Sequence, residues 1–141
     1  NEIFTDEILE GSKILSVNNF NSMVLINDGI NFIKKDLPII SQVSPVRDIQ
    51  IFDYNKDKII DILLFGNNSN VSTYFGAFES SYGILLEGKG DGTFNYINQK
   101  KSGLKIKGDV TKILSLDKNK SKFVIGKNND KISIISLDDE K

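Results

Sequence analysis

The chain contains no cysteine and no histidine. Disulfides, thiol chemistry, zinc–thiolate centres and every histidine-based triad are therefore excluded. Lack of cysteine leaves the compartment open, because a reducing cytosol and an exported protein without disulfides both tolerate it. Arg47 is the one arginine, so bidentate recognition of phosphate is not expected. The formal net charge is −1, which provides no electrostatic footprint for DNA or RNA. No apolar run reaches the roughly 18 residues needed to span a membrane as a helix. The opening Asn1-Glu2-Ile3 has no initiator methionine and reads as a mature or trimmed segment of a longer chain. Acid–base chemistry is left to carboxylates, lysines and tyrosines.

The 141 residues are 39% hydrophobic and 26% charged, a balance that suits a soluble globular fold. Helix signals are nearly absent, with at most one helical turn in residues 5–10. Apolar residues fall in short β-branched runs bounded by Asn, Asp, Gly and Lys. The runs are Ile14–Val17, Met23–Ile26, Phe32-Ile33, Val46–Phe52, Ile60–Phe65, Tyr82–Glu87, Thr93–Ile97, Val110–Leu116, Lys122–Ile125 and Ile132–Leu137. Tight-turn signals stand at Asn27-Asp28-Gly29, Gly88–Gly92 and Asn128-Asn129-Asp130. This pattern predicts an all-β chain of about ten short strands.

The runs repeat. Lys13-Ile14-Leu15-Ser16-Val17 recurs as Lys112-Ile113-Leu114-Ser115-Leu116, and Asp48–Phe52 holds the same place in the middle. Leu25–Gly29 with Phe32 resembles Leu85–Gly92 with Phe94. Three units emerge, about 12–38, 46–98 and 109–137, within one 1–141 segment. Their roughly 60-residue spacing approaches that of a propeller blade once the long middle loop is allowed for. Each unit buries only one face alone, so neighbours must stack.

Residues 53–61 carry the most specific signal. Asp53, Asn55, Asp57 and Asp61 place side-chain oxygens at positions 1, 3, 5 and 9 of a loop ahead of the strand Ile62–Phe65. Hard cations such as Ca²⁺ take six to eight oxygens, and alternate side chains of a tight loop converge. The other reading is an acidic turn with solvated carboxylates; repetition and the flanking strands favour a cation. The counterparts Asp117–Ser121 and Asn18–Ser22 are degenerate, so one site is expected, structural rather than catalytic. Gly88–Gly92 is followed by a strand opening at Thr93-Phe94 and not by the Lys-Ser/Thr and helix of a phosphate loop, so it reads as a hairpin turn. The loop 66–81 carries Tyr74, Phe75, Phe78 and Glu79; it either contacts a glycan or protein or covers a sheet edge. No sequence feature sets the separation of Glu79 and Glu87, which weakens a glycosidase pair.

Strand, Asp-x-Asn-x-Asp-x-x-x-Asp loop, second strand and the Gly-x-Gly-Asp-Gly-x-Phe turn together resemble the FG-GAP/VCBS repeats of integrin-like propellers. Further likeness to secreted Bacteroidetes propellers lies in Leu37-Pro38, Gln42, Pro45-Val46-Arg47-Asp48, Gly66-Asn67-Asn68, Ser81-Tyr82-Gly83 and Ser102-Gly103. The resemblance spans roughly residues 22–137. It implies consecutive blades of a calcium-binding β-propeller, incomplete here or a C-terminal fragment, because a whole one needs at least four blades. It places the calcium ligands at Asp53, Asn55, Asp57 and Asp61, with Ile59 ligating through its carbonyl. Position 6, usually glycine, is Lys58, at a cost on the order of 1 kcal/mol if φ is positive. The resemblance implies a non-catalytic binding or scaffold module at the cell surface or outside, contacting protein or glycan. Docking onto an outer-membrane complex, or membership of a carboxylate-dependent polysaccharide-acting enzyme, are the alternatives.

Overall fold

The structure is a computed structural model that describes residues 4–71, 74 and 76–137. Phe75 of the predicted aromatic loop lies outside the described residues. Nine strands form three antiparallel sheets among them. The first is a hairpin of β1 (Met23–Asn27) and β2 (Phe32–Asp36). The second runs β3 (Val46–Phe52), β4 (Asp61–Gly66), β5 (Ile84–Gly88) and β6 (Phe94–Ile97) in order. The third is β7 (Val110–Ser115), β8 (Lys122–Lys127) and β9 (Ser133–Ser136). The all-β expectation holds. The predicted helical turn is α1 (Asp6–Leu9). The connector after Pro38 makes a 3-10 turn, Ile39–Gln42.

The central sheet explains its own sequence. β4 and β5 are buried throughout or nearly so, and they read as continuous apolar runs because both faces are covered. The edge strand β3 instead alternates. One face of this sheet packs Phe52, Leu63, Phe65, Leu85 and Ile97 against Val110, Ile113, Phe123 and Ile125 of the third sheet. The other face packs Ile62, Leu64, Ile84 and Leu86 against Leu37 and Val24 of the first unit. Burying each such side chain stabilises by about 1.5–3 kcal/mol.

The second and third units are built alike. Both carry a register shift in the first strand, at Val46/Asp48 and at Val110/Lys112, 64 residues apart. Their first strands are also joined. Asp48 Oδ2 accepts from Ile113 N–H at 2.7 Å and pairs with Lys112 Nζ at 3.1 Å, and Gln50 Nε2 donates to Ile113 O at 3.0 Å. Burial pushes the Asp48 carboxyl up, but the bonds from Ile113 N–H, Lys112 and Ile49 N–H outweigh it and hold it below its ordinary 3.8. The ionised form is therefore favoured by folding: its contribution is full above 3.8 and is lost as pH falls through the folded value. Asp48→Asn is expected to cost about 1 kcal/mol near pH 6 in urea melts, with the gap to wild type closing near pH 3. A gap independent of pH would refute the ionic role.

The first unit departs from the repeat in two ways. Ile14–Val17, expected as a strand, makes no ladder, and its apolar side chains are exposed. In addition, Val24 and Ile26 face the central sheet, with Ile26 against Gly92 of the β5–β6 turn. Their counterparts Phe123 and Ile125 face it from the opposite side. The flanking sheets thus present equivalent faces to the middle one.

A buried amide fastens the central sheet. Asn67, at φ +82° and 2% exposed, accepts from Ser44 Oγ and Ser81 N–H and donates to Ser81 O and Gly108 O. A Cβ on neighbouring Gly66 would overlap the Pro45 carbonyl, and one on Gly83 would enter the Phe65 ring. The short helix α2 (Gln99–Ser102) was not anticipated. Its signals are Asn98, which caps Lys101 N–H, and Gly103, which ends it at φ +70°.

Candidate metal centre

The last residue of β3, Phe52, pairs with the first of β4, Asp61, so residues 53–60 form the hairpin loop between them. The loop folds on its own side-chain oxygens. Asp53 accepts from Asp57 N–H (3.1 Å) and Lys58 N–H (2.9 Å). Asn55 Oδ1 accepts from Asp57 N–H at 3.0 Å, and Asp57 Oδ1 accepts from Ile59 N–H at 2.7 Å. Such bonds from an Asx side chain to backbone further on set a tight turn. They direct Asp53, Asn55 and Asp57 into the loop. The turn is sharp at Lys56 and Lys58, with φ +63° and +70°. The expected strain at position 6 is therefore present.

Asp61 is fully buried at the foot of the loop. Its oxygens accept from Tyr54 N–H (2.7 Å) and Gly88 N–H (2.8 Å). Burial pushes its carboxyl above the ordinary 3.8; these two bonds pull the other way, and the charges of Asp57 and Asp53 push it up again. None of these influences on the carboxyl is a positive charge. Ile59 turns its side chain onto Gly88 and Gly90.

Glu87, weighed from sequence only as half of a glycosidase pair, lies beside this loop. Asn55 Nδ2 donates to Glu87 Oε1 at 3.2 Å and to Asp57 Oδ2 at 2.9 Å, so a further carboxylate borders the loop. Only the β4–β5 register reveals it, since Ile62 lies opposite Leu86. Among the described residues, no three His, Cys, Asp or Glu side chains are gathered as a metal cluster. The donors are nonetheless all oxygen, which fits a hard cation, and closing on an ion would require the carboxylates to draw inward.

The counterpart loops cannot do this. Asp117 spends its oxygens on Ser121 and Lys122, and the Lys122 N–H holds its carboxyl below 3.8. Lys120 reaches back to Ile51 O at 2.7 Å. In the first unit, Asn19 accepts from Asn21 N–H.

Gly88–Gly92 is the expected hairpin turn: Lys89 N–H donates to Thr93 O, and Asp91 accepts from both the N–H and the hydroxyl of Thr93. In the loop 66–81, Phe78 bridges Asn68, and Tyr74 is largely exposed. Glu79 precedes β5 and Glu87 lies near its end, so the strand separates them. An apolar groove of about 610 Å³ adjoins the 53–60 loop, lined by Met23, Val24, Ile49, Ile51, Ile60 and Phe94 among others. No family model matches the chain, and neither does any curated protein or solved structure. Among the described residues no helix is long and apolar enough to cross a membrane.

Proposed function

We propose that the chain is a non-catalytic, calcium-stabilised scaffold module at the cell surface or outside the cell, built from blades of a β-propeller and making protein or glycan contacts. The carrying observation is the shared construction of the second and third units, bulge for bulge, stacked face to face and bonded through their first strands. The open face of the third sheet adds support. Leu114, Val124 and Ile134 are cross-strand partners in one apolar row, and Leu114 and Ile134 are exposed. A further sheet stacked there would bury them. The first hairpin does not follow this stacking, so the blade reading rests on residues 46–137.

The same apolar row favours a second reading, docking onto an outer-membrane complex, since exposed apolar rows mark interaction sites. Calcium would be held by Asp53, Asn55, Asp57 and Asp61, with the Ile59 carbonyl, and would tie β3 to β4. Millimolar calcium outside cells fills even a weak site of this kind.

A glycan array read beside a reducing-sugar assay tests the function. Binding without sugar release, weakened at least about fivefold by Tyr74→Ala, is the expected result, because aromatics carry much of such contact energy. Sugar release that Glu79→Gln or Glu87→Gln abolishes would overturn it in favour of an enzyme.

A further inference from the structure

Ile14, Leu15 and Val17 are 90, 78 and 67% exposed, an apolar run with no ladder. Its counterpart 99 residues later is Lys112–Leu116, of which Lys112 to Ser115 lie in β7. The same 99 residues separate Val24 and Ile26 of β1 from Phe123 and Ile125 of β8. The loops joining run to strand, 18–22 and 117–121, are equal in length. Both hairpins also close with one bond at the same place: Leu37 N–H to Ser22 O at 3.0 Å, and Leu137 N–H to Ser121 O at 2.8 Å. The first unit therefore has the loop, the second strand and the closing bond of the third. Only its first strand is undocked.

A seat for that strand exists. Among the described residues β1 pairs with β2 alone, which leaves its other edge open. The groove takes Met23 and Val24 from β1 and no residue of β2, which places that open edge beside β3. The hairpin covers β4 and β5, with Phe94 and Tyr96 of β6. Ile49 and Ile51 of β3 remain 47% exposed.

We propose that residues 13–17 close this groove as an antiparallel strand on β1, with Ile14 beside Ile26, Leu15 beside Leu25 and Ser16 beside Val24. This register copies Ile113 beside Ile125, Leu114 beside Val124 and Ser115 beside Phe123. Cross-strand partners share a face, so Ile14 follows Ile26 inward and seats over Ile49 and Ile51. The loop 18–22 can reach, because an equal loop already makes that connection in the third unit. Docking satisfies the edge of β1 and removes both apolar surfaces from water. The undocked structure is then the open state of a strap, and the groove is its seat rather than a ligand site.

NMR on the full chain tests this. In the third sheet Leu116 N–H bonds Lys122 O, so the pairs at Ser115 and Ile113 are the non-hydrogen-bonded ones, where α-protons approach closely. The expected result is α-proton NOEs between Ile14 and Ile26 and between Ser16 and Val24. Amide exchange at Leu15 and Val17 should be at least about tenfold slower than in Ile14→Asp. That variant should lose both NOEs and keep the one between Ile113 and Ile125, which certifies the rest of the fold. Absence of the two NOEs in wild type, with exchange at unstructured rates, overturns the proposal. So do NOEs seen only between differently labelled copies, which would mean a strand swapped between two chains.

Discussion

Asn67→Ala is expected to lower stability by about 3–5 kcal/mol, since two buried backbone groups and a half-buried one lose their partner at about 1–3 kcal/mol each. The groups are Ser81 N–H, Ser81 C=O and Gly108 C=O. Ser44 Oγ loses its 2.7 Å acceptor and keeps only Phe78 O at 3.5 Å. Alanine also bears the left-handed φ of +82° worse than asparagine, whose short polar side chain tolerates that region. The side chain joins three stretches of chain distant in sequence: the connector before β3, the segment leading into β5 and the turn before β7. Its loss therefore loosens the central sheet at both neighbours. Domains of this size are stable by only about 5–15 kcal/mol, so the variant sits near the edge of folding. The measurement is the urea midpoint at unchanged slope. Asn67→Gly, which relieves the backbone while removing the same bonds, should recover about 1 kcal/mol of the loss. The neighbouring Asn68→Ala should move stability by less than about 0.5 kcal/mol, because its backbone alone makes the bridge to Phe78. A loss under about 1 kcal/mol for Asn67→Ala would sink the account of a shared buried partner.

Which elements were legible follows from what each depends on. β3, β4 and β5 announce themselves because alternation and continuous apolar runs report how many faces are covered. Ile14–Val17 is equally apolar and makes no ladder, because composition does not say whether a run is docked on the edge open to it. Four polar residues, Gln99–Ser102, carry no periodicity, so α2 is visible only through its caps at Asn98 and Gly103. The 53–61 loop is local, so its oxygen spacing and the turn at Lys58 stand in contiguous sequence. Glu87 lies 26 residues beyond Asp61 and joins the loop only through strand register, which no local pattern encodes. The face that β1 turns to the core was likewise hidden, since both of its faces carry apolar residues.

Calcium is expected to raise the melting temperature of the chain by roughly 5 °C between chelator and 10 mM ion. A site with an affinity of about 10⁻⁴–10⁻³ M gains about 1.4–2.7 kcal/mol at that concentration. For a domain of this length, each kcal/mol moves the midpoint by roughly 2–5 °C. Asp57→Ala should abolish the shift, because Asp57 supplies position 5 and also holds Ile59 N–H. Lys58→Gly should act twice: it relieves the left-handed φ of +70° in chelator, by about 0.5–1 kcal/mol, and it removes a positive charge that competes with the ion. The pH dependence separates a bound cation from general salt. The Asp61 carboxyl is raised above 3.8 by burial first, and also by the charges of Asp57 and Asp53. A raised acid holds its proton more tightly folded than unfolded, so its contribution is present below 3.8 and is lost as pH rises through the folded value. In chelator, folding thus disfavours ionisation of Asp61. A divalent cation seated among Asp53, Asp57 and Asp61 reverses that preference. The calcium shift should therefore be near zero around pH 3.5 and grow toward pH 7 at matched ionic strength. Identical melting curves with calcium and with chelator at pH 7 would eliminate the site and return the loop to an acidic turn held by its own backbone.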